Sequence, residues 1–125
     1  MREIKFRAWH NPHKEMIYNP NVCIVVLQQD LPEWDLMQYT GLKDKNGKEI
    51  YEGDIFTAGY WGTVGYYGED TFVVELEQGA FRGFMQEYHK NKKERWSHST
   101  PLYKLENLEV IGNIYENPEL LDKGL

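Results

Sequence analysis

The sequence predicts a mainly β fold, and three observations lead to this prediction. Glycine occurs 11 times and tyrosine 9 times in the 125 residues, whereas alanine is rare. Apolar and polar residues alternate in several short runs, and turn-forming pairs such as Asn11-Pro12 and Asn46-Gly47 separate these runs. Alanine favours helices, while tyrosine and glycine are typical of strands and turns. We therefore expect an all-β protein, or a β protein with one short helix.

The first part of the chain is predicted to form a hairpin and two further strands. Apolar and charged residues alternate over residues 4–8, which is the period of a half-buried strand. Residues 15–18 follow a turn and predict the second strand of the hairpin. Residues 22–27 are continuously apolar, as in a buried strand, and residues 36–39 predict a short strand.

The remainder predicts a second group of strands. The Asn46-Gly47 pair favours a type I′ hairpin turn over residues 45–48, because this turn needs two positive φ angles. The polar residues 87–96 are the best candidate for a helix or long loop, and residues 119–121 for one helical turn. The spacing of the turns suggests a small barrel or sandwich. The predicted strands are residues 49–51, 53–56, 63–67, 72–76, 80–85 and 108–115.

Composition excludes several classes of protein. Hydrophobic residues make up 41% and aromatic residues 14% of the chain, which is too many for a disordered protein. No apolar run approaches the ~20 residues that span a bilayer, and the charged start at residues 2–7 argues against a signal peptide. Cys23 is the single cysteine, so no disulfide can form within the chain. We expect a cytoplasmic protein in a reducing compartment.

Three blocks of residues at the start, centre and end of the chain form recognisable motifs. The chain opens with REIKFRAW at residues 2–9. Its centre contains LMQYTGLKD at residues 36–44 and NGKEIYEGDI at residues 46–55. Its end contains EVIGNIYENPELL at residues 109–121. Together these blocks resemble the YopX family of phage and prophage proteins, and the long central block is the most specific of the similarities.

The resemblance implies a mostly β protein with a small SH3-like barrel as one subdomain. On this basis we predict a β-hairpin region at residues 1–50 and an SH3-like barrel region at residues 51–125. The resemblance also implies a phage or prophage origin, a place in the cytoplasm of a bacterial host, and self-association. It supplies no catalytic residues to transfer to this chain.

Glycine recurs at every third position from residue 59 to residue 68, but this pattern does not predict a phosphate-binding loop. Such a loop needs a following helix and usually a lysine, whereas residues 51–80 contain six acids and no lysine or arginine. A glycine- and aromatic-rich hairpin explains the pattern better. The acidic charge also repels nucleic acid, so the flanking aromatic residues are predicted to contact protein. These residues are Tyr60, Trp61, Tyr66 and Tyr67.

A basic segment follows the acidic block. Residues 82–95 contain five basic and two acidic residues, a local charge of +3 in a chain whose net charge is -6. Basic side chains beside a tryptophan can bind a nucleic-acid backbone, although a solvated surface is the commoner explanation. An acidic and a basic patch could also meet between subunits. The candidate nucleic-acid-binding residues are Lys90, Lys92, Lys93, Arg95 and Trp96.

Candidates for metal binding and catalysis are sparse. His10 and His13 have His-x-x-His spacing, with Glu15 and Cys23 as further candidate ligands, but polar histidines in turns are more common than ligands. Cys23 lies in an apolar run, which is typical of a small buried residue rather than a nucleophile. Glu75 and Glu77 lie on one face of a strand, where carboxylates are usually solvated. We predict no catalytic residues, no metal and no cofactor.

The leading functional hypothesis is a non-enzymatic accessory protein that acts by protein–protein contact. It would form a homo-oligomer and bind an unidentified phage or host protein. The alternative is a nucleic-acid-associated regulator that uses the basic segment. Two further possibilities are a metal-assisted enzyme and an acidic surface that mimics DNA.

Overall fold

Nine β-strands form the described part of the protein. A computed structural model describes residues 4–18, 33–62, 65–77, 79–85 and 99–121. Short 3₁₀ turns lie at Leu102–Lys104 and Pro118–Leu121. The strands are β1 (Phe6–His10), β2 (Glu15–Tyr18), β3 (Trp34–Lys43), β4 (Glu49–Tyr51), β5 (Asp54–Gly62), β6 (Gly65–Glu77), β7 (Ala80–Met85), β8 (Ser99–Pro101) and β9 (Glu106–Asn113).

The strands form two antiparallel sheets. The first sheet has the order β2-β1-β3-β4, and the second has the order β8-β7-β6-β5-β9. The second sheet curls into a half-barrel. The predicted mainly β class is therefore confirmed, with the barrel present as this half-barrel. The division into regions 1–50 and 51–125 remains a prediction about folding units. None of the helical turns among the described residues has the length and apolar character needed to cross a membrane.

A cluster of buried apolar side chains packs against the second sheet and explains why apolar and polar residues alternate along its strands. Phe56 and Phe72 are stacked with ring centroids 5.4 Å apart. Gly83 lies against them, because a Cβ at that position would be 2.9 Å from the Phe56 ring. Burial of this cluster removes apolar surface from water and thereby stabilises the packing of the half-barrel. Its buried members are Ile50, Phe56, Ala58, Phe72, Val74, Leu102 and Leu105.

The strands predicted on described residues are present, with some differences in extent. β1 and β2 form the expected hairpin, and Ala80–Met85 is a strand as predicted. β3 extends from Trp34 to Lys43, beyond the predicted residues 36–39, because a bulge between Tyr39 and Lys43 lets the strand continue through Gly41. Residues 22–27 and 87–96 lie outside the described residues.

In the second sheet, three strands differ from their predicted bounds, and the short strand β8 was not predicted. β5 runs from Asp54 to Gly62, well beyond the predicted residues 53–56. The strands predicted at 63–67 and 72–76 belong to β6, which runs continuously from Gly65 to Glu77. β9 begins and ends two residues earlier than predicted. The helical turn expected at 119–121 is the 3₁₀ turn Pro118–Leu121.

The turn between β3 and β4 is a hairpin, but it is not type I′. Gly47 has a φ of 84°, whereas Asn46 does not have the positive φ that type I′ requires. The Asp44 carboxylate organises the turn by accepting hydrogen bonds from the N–H groups of Asn46 and Lys48, both at 2.9 Å. Its second oxygen accepts the N–H of Val110 on β9 at 3.0 Å. One side chain thus shapes the turn and attaches the first sheet to the second.

These hydrogen bonds determine the protonation of Asp44. Burial alone would raise the pKa of the carboxyl group. The N–H groups of Val110, Lys48 and Asn46 outweigh this effect, so the pKa of Asp44 lies below its ordinary value of 3.8. The side chain is therefore ionised at neutral pH and acts as a fixed acceptor.

Candidate functional site

A buried ion pair joins the two sheets. The Arg7 Nη2 atom on β1 donates to Asp54 Oδ1 at the start of β5, at 2.8 Å, and the two side chains are only 2% and 1% exposed. Arg7 also donates to the Glu52 carbonyl oxygen at 3.1 Å, and its guanidinium lies 4.8 Å from the centroid of the Tyr51 ring. The Arg7 charge is thus fully engaged within the protein.

Sequence alternation placed Arg7 on the solvent face of β1, and this expectation is wrong. Both Arg7 and its neighbour Ala8 are buried, so both faces of β1 are covered. Asp54 also accepts the N–H of Tyr51 at 2.8 Å, which closes the turn before β5. Burial raises the pKa of Asp54, while Arg7 and this N–H oppose that effect. The pair stabilises the sheet junction rather than a substrate.

A polar cleft of about 310 Å³ opens beside this junction. Two carboxylates line it: Glu52, from the turn before β5, and Glu75 on β6. Burial and the nearby Glu75 carboxylate raise the pKa of Glu52, although the Gln38 N–H, which donates to Glu52 Oε1 at 2.8 Å, opposes the shift. Glu75 therefore faces Glu52 across the cleft instead of forming the solvated pair with Glu77 that the sequence suggested.

Tyr115 completes the polar lining of the cleft. Burial, followed by the charges of Asp35 and Glu52, raises the pKa of Tyr115 to about 12, so the phenol is neutral at physiological pH. Its ring stacks on Trp9 with centroids 5.7 Å apart. The described lining has two carboxylates and this phenol, but no histidine, cysteine, serine or lysine. It thus provides carboxylate and phenol groups but no serine, cysteine or lysine nucleophile among the described lining residues.

A second opening, the apolar groove, lies where the end of β3 meets β7 and β8. It has a volume of about 440 Å³. Leu42 is 41% exposed and Tyr103 is 77% exposed, although large apolar and aromatic side chains are usually covered. Lys104 lies with its ammonium nitrogen 6.0 Å from the centroid of the Tyr103 ring. The residues lining the apolar groove are Thr40, Gly41, Leu42, Gly79, Ala80, Phe81, Pro101, Leu102 and Tyr103.

The hairpin between β1 and β2 brings two histidines together. The Nδ1 atoms of His10 and His13 are 2.8 Å apart, and the ring centroids are 4.6 Å apart. The Trp34 ring lies on the other side of His10, with centroids 4.2 Å apart. Within the described residues, no group of three or more histidine, cysteine, aspartate or glutamate side chains is arranged to hold a metal ion. Cys23 lies outside the described residues.

The predicted aromatic contact residues are on the expected hairpin. Tyr60 lies opposite Tyr67, and Trp61 lies opposite Tyr66, in the register of β5 and β6. Their side chains are not described, so their role in protein contact remains a prediction. The glycine repeat lies on the same two strands, as the hairpin interpretation predicted. Lys90, Lys92, Lys93, Arg95 and Trp96 lie outside the described residues.

The sequence analysis missed the apolar groove because its residues are far apart in the chain. Leu42 follows Gly41 in the bulged part of β3, and Tyr103 belongs to a 3₁₀ turn more than fifty residues later. No local pattern connects them. The Leu102–Lys104 segment did carry one signal, since Pro101 directly before it favours a turn.

Comparison with known proteins relates most of the chain to one family. The family model described as YopX protein matches residues 24–122. The crystal structure of protein EF1440 from Enterococcus faecalis is 28% identical, with a TM-score of 0.62, and the match covers 97% of this chain and 99% of that one. The crystal structure of yopX from Bacillus subtilis has the same fold at 19% identity, with a TM-score of 0.58 and coverage of 96% and 98%. None of the curated proteins compared matches the chain.

Proposed function

The chain belongs to the YopX family, and we propose that it acts by protein–protein contact and performs no catalysis. It would associate with copies of itself and with a partner protein, as a phage or prophage accessory protein in the bacterial cytoplasm. The apolar groove is the observation that carries this proposal. The alternative, nucleic-acid binding through the basic segment, rests on residues outside the described part of the chain.

The apolar groove has the character of a binding surface for a peptide. Its volume of about 440 Å³ lies in the range of ligand pockets. Leu42 and Tyr103 lose favourable free energy by remaining in water, and a partner that covers them would recover it. Tyrosine is also among the residues that contribute most to protein interfaces.

Charge identifies the kind of peptide. Lys43 and Lys104 each follow a groove-lining residue directly and are exposed. Among the described residues, neither lysine has a carboxylate within salt-bridge distance. An apolar side chain flanked by aspartate or glutamate would fill the groove and place its charges beside these lysines. We therefore assign the groove to an acidic segment of a partner protein with a leucine or phenylalanine at its centre.

The polar cleft supports the non-catalytic part of the proposal. Its Glu52 side chain holds the backbone of β3 through Gln38, and its Tyr115 packs on Trp9. Each of these groups therefore has a structural task within the fold. The apolar groove, in contrast, presents side chains that the fold leaves exposed.

Binding of synthetic peptides tests this assignment. The probe is a labelled peptide with one central leucine between glutamates, measured by fluorescence anisotropy. We expect binding that weakens as salt is raised, and a loss of about tenfold in affinity for Leu42→Ser and Tyr103→Ser, equivalent to about 1.4 kcal/mol. A peptide with lysines in place of the glutamates should not bind.

Ile111→Ser is the matched control, because Ile111 is 42% exposed, as Leu42 is 41% exposed, but lies on β9 outside the groove. It should bind the peptide like the unchanged protein. Failure of the unchanged protein to bind, or equal weakening by Ile111→Ser and Leu42→Ser, would refute the groove as the contact surface.

A further inference from the structure

The hairpin tip holds two imidazole nitrogens in contact. The 2.8 Å separation of the His10 and His13 Nδ1 atoms is that of a hydrogen bond, so one nitrogen donates and the other accepts. The N–H of one ring and the lone pair of the other therefore point at each other, with a single proton between the two nitrogens. A position defined by two converging imidazole nitrogens is also one that a metal ion can occupy.

The surrounding structure holds this arrangement in place. Asn11 is fixed by its N–H, which donates to the Glu33 carbonyl at 2.8 Å, and by its side-chain amide, which donates to Asp35 Oδ2 at 3.0 Å. Lys14 adopts a positive φ of 49°, which reverses the chain tightly after His13. The Trp34 ring supports His10 from behind. The backbone of the turn and the His10 ring are thus held in place before any ion binds.

The distances suit zinc after a small adjustment. Zinc binds imidazole nitrogen at about 2.0–2.1 Å, and two such bonds at a tetrahedral angle separate the nitrogens by about 3.3 Å. The present pair must open by about 0.5 Å, which exposed His13 can do by rotating its side chain. Glu15, paired with His10 across the hairpin, adds negative charge that attracts a cation.

We propose that His10 and His13 form half of a site for a zinc-like divalent ion, and that the same two histidines of a second copy complete it. Among the described residues, no third ligand joins the pair, whereas a structural zinc takes four. Residues 11–15 are all exposed, so two hairpin tips can approach each other about a two-fold axis. Each copy then contributes its two Nδ1 nitrogens. The proton between them moves through solvent to Nε2 of the donating ring, so both imidazoles are neutral Nε2–H tautomers when the ion binds.

This inference deepens the self-association part of the proposed function and is independent of the apolar groove. His10 lies opposite Trp34 at the start of β3, and Leu42 lies eight residues further along that strand. At about 3.3 Å per residue the two sites are roughly 26 Å apart. A variant of one site should therefore leave the other intact.

Sedimentation velocity with the full chain tests the proposal, using Zn²⁺ alone as the probe. We expect a monomer-to-dimer shift on adding Zn²⁺, reversal by a chelator, and one zinc per two chains by elemental analysis. Co²⁺ should give the intense visible absorption of a tetrahedral site. His13→Ala should abolish both the shift and the absorption, and Leu42→Ser should preserve both, so that failure here is separate from failure of the groove.

Two controls define what would overturn the proposal. His98→Ala removes a histidine elsewhere in the chain and should leave zinc-dependent dimerisation unchanged. Cys23→Ser should also leave it unchanged. Loss of the shift in Cys23→Ser, one zinc per monomer without dimerisation, or no zinc binding beyond that of His13→Ala would each reject a site shared between two hairpin tips.

Discussion

The polar cleft and the apolar groove both open between the two sheets, but their side chains are used in opposite ways. In the cleft, Glu52 receives a backbone N–H and Tyr115 stacks on Trp9. In the groove, Leu42 and Tyr103 remain exposed. Glu52 and Tyr115 are therefore explained by what they do for the fold, whereas Leu42 and Tyr103 are the exposed side chains on which the proposed protein contact rests. This contrast teaches that carboxylates beside a buried ion pair need not indicate catalysis.

The largest expected effect comes from breaking the ion pair that supports the cleft. Asp54→Ala leaves the Arg7 charge buried without its carboxylate. We expect the free energy of unfolding to fall by roughly 3–5 kcal/mol, measured by urea denaturation. Asp54→Asn keeps an acceptor for the Tyr51 N–H, so it should lose less and provides a variant that folds if the alanine variant does not.

Glu109→Ala is the matched control for this ion pair. Glu109 pairs with Lys45 at 3.2 Å, but the two side chains are 41% and 44% exposed. Its removal should cost less than about 1 kcal/mol. Equal losses for Asp54→Ala and Glu109→Ala would mean that burial of the Arg7 pair contributes little to the sheet junction.

A smaller effect is expected at the turn that borders β9. Asp44→Ala leaves the N–H groups of Asn46, Lys48 and Val110 without their acceptor, which should cost about 1–3 kcal/mol. Because folding lowers the pKa of Asp44, its contribution is present above the ordinary value of 3.8 and is lost as pH falls through the lower folded value. Urea denaturation at a series of pH values should show this loss for the unchanged protein.

Asp44→Asn isolates the role of the charge in this turn. Its stability should vary less with pH between neutral and acid conditions than that of the unchanged protein. An identical pH dependence in both proteins would show that other carboxylates cause the loss.

The strands could be predicted from sequence because their signals are local. Alternation identified β1, and the turn residues identified the β1–β2 and β3–β4 hairpins. The turn type at residues 45–48 could not be predicted from Asn46-Gly47 alone, because Asp44 supplies acceptors that favour a different backbone. The length of β3 was missed for a similar reason, since its bulge depends on pairing with β4.

The candidate sites were harder to predict, because each depends on long-range contacts. Arg7 meets Asp54 across 47 residues of sequence, and its burial follows from contacts with Asp54, the Glu52 carbonyl and the Tyr51 ring, all of them distant in sequence. The spacing of His10 and His13 did identify the histidine pair, since both lie in one turn. What spacing could not supply was the convergence of their Nδ1 atoms, which depends on side-chain rotation and on Trp34.

The smallest expected effect comes from removing the charge of Glu52 in the polar cleft. Glu52→Gln retains an oxygen for the Gln38 N–H while removing a charge that burial and Glu75 disfavour. We expect it to raise the free energy of unfolding at neutral pH by up to about 1 kcal/mol. Folding raises the pKa of Glu52. The unchanged protein should therefore become more stable as pH falls through the folded pKa towards 4.5, and the difference in free energy of unfolding between the two proteins should disappear.

Glu49→Gln provides the contrast within the same region, because Glu49 is paired with Lys5 and its charge is therefore favoured. This variant should show no stabilisation at neutral pH. If Glu52→Gln instead lowered the free energy of unfolding, the Glu52 charge would have a favourable role that the described contacts do not supply. The cleft, rather than the apolar groove, would then be the better place to search for a ligand, and a cationic one would suit its two carboxylates.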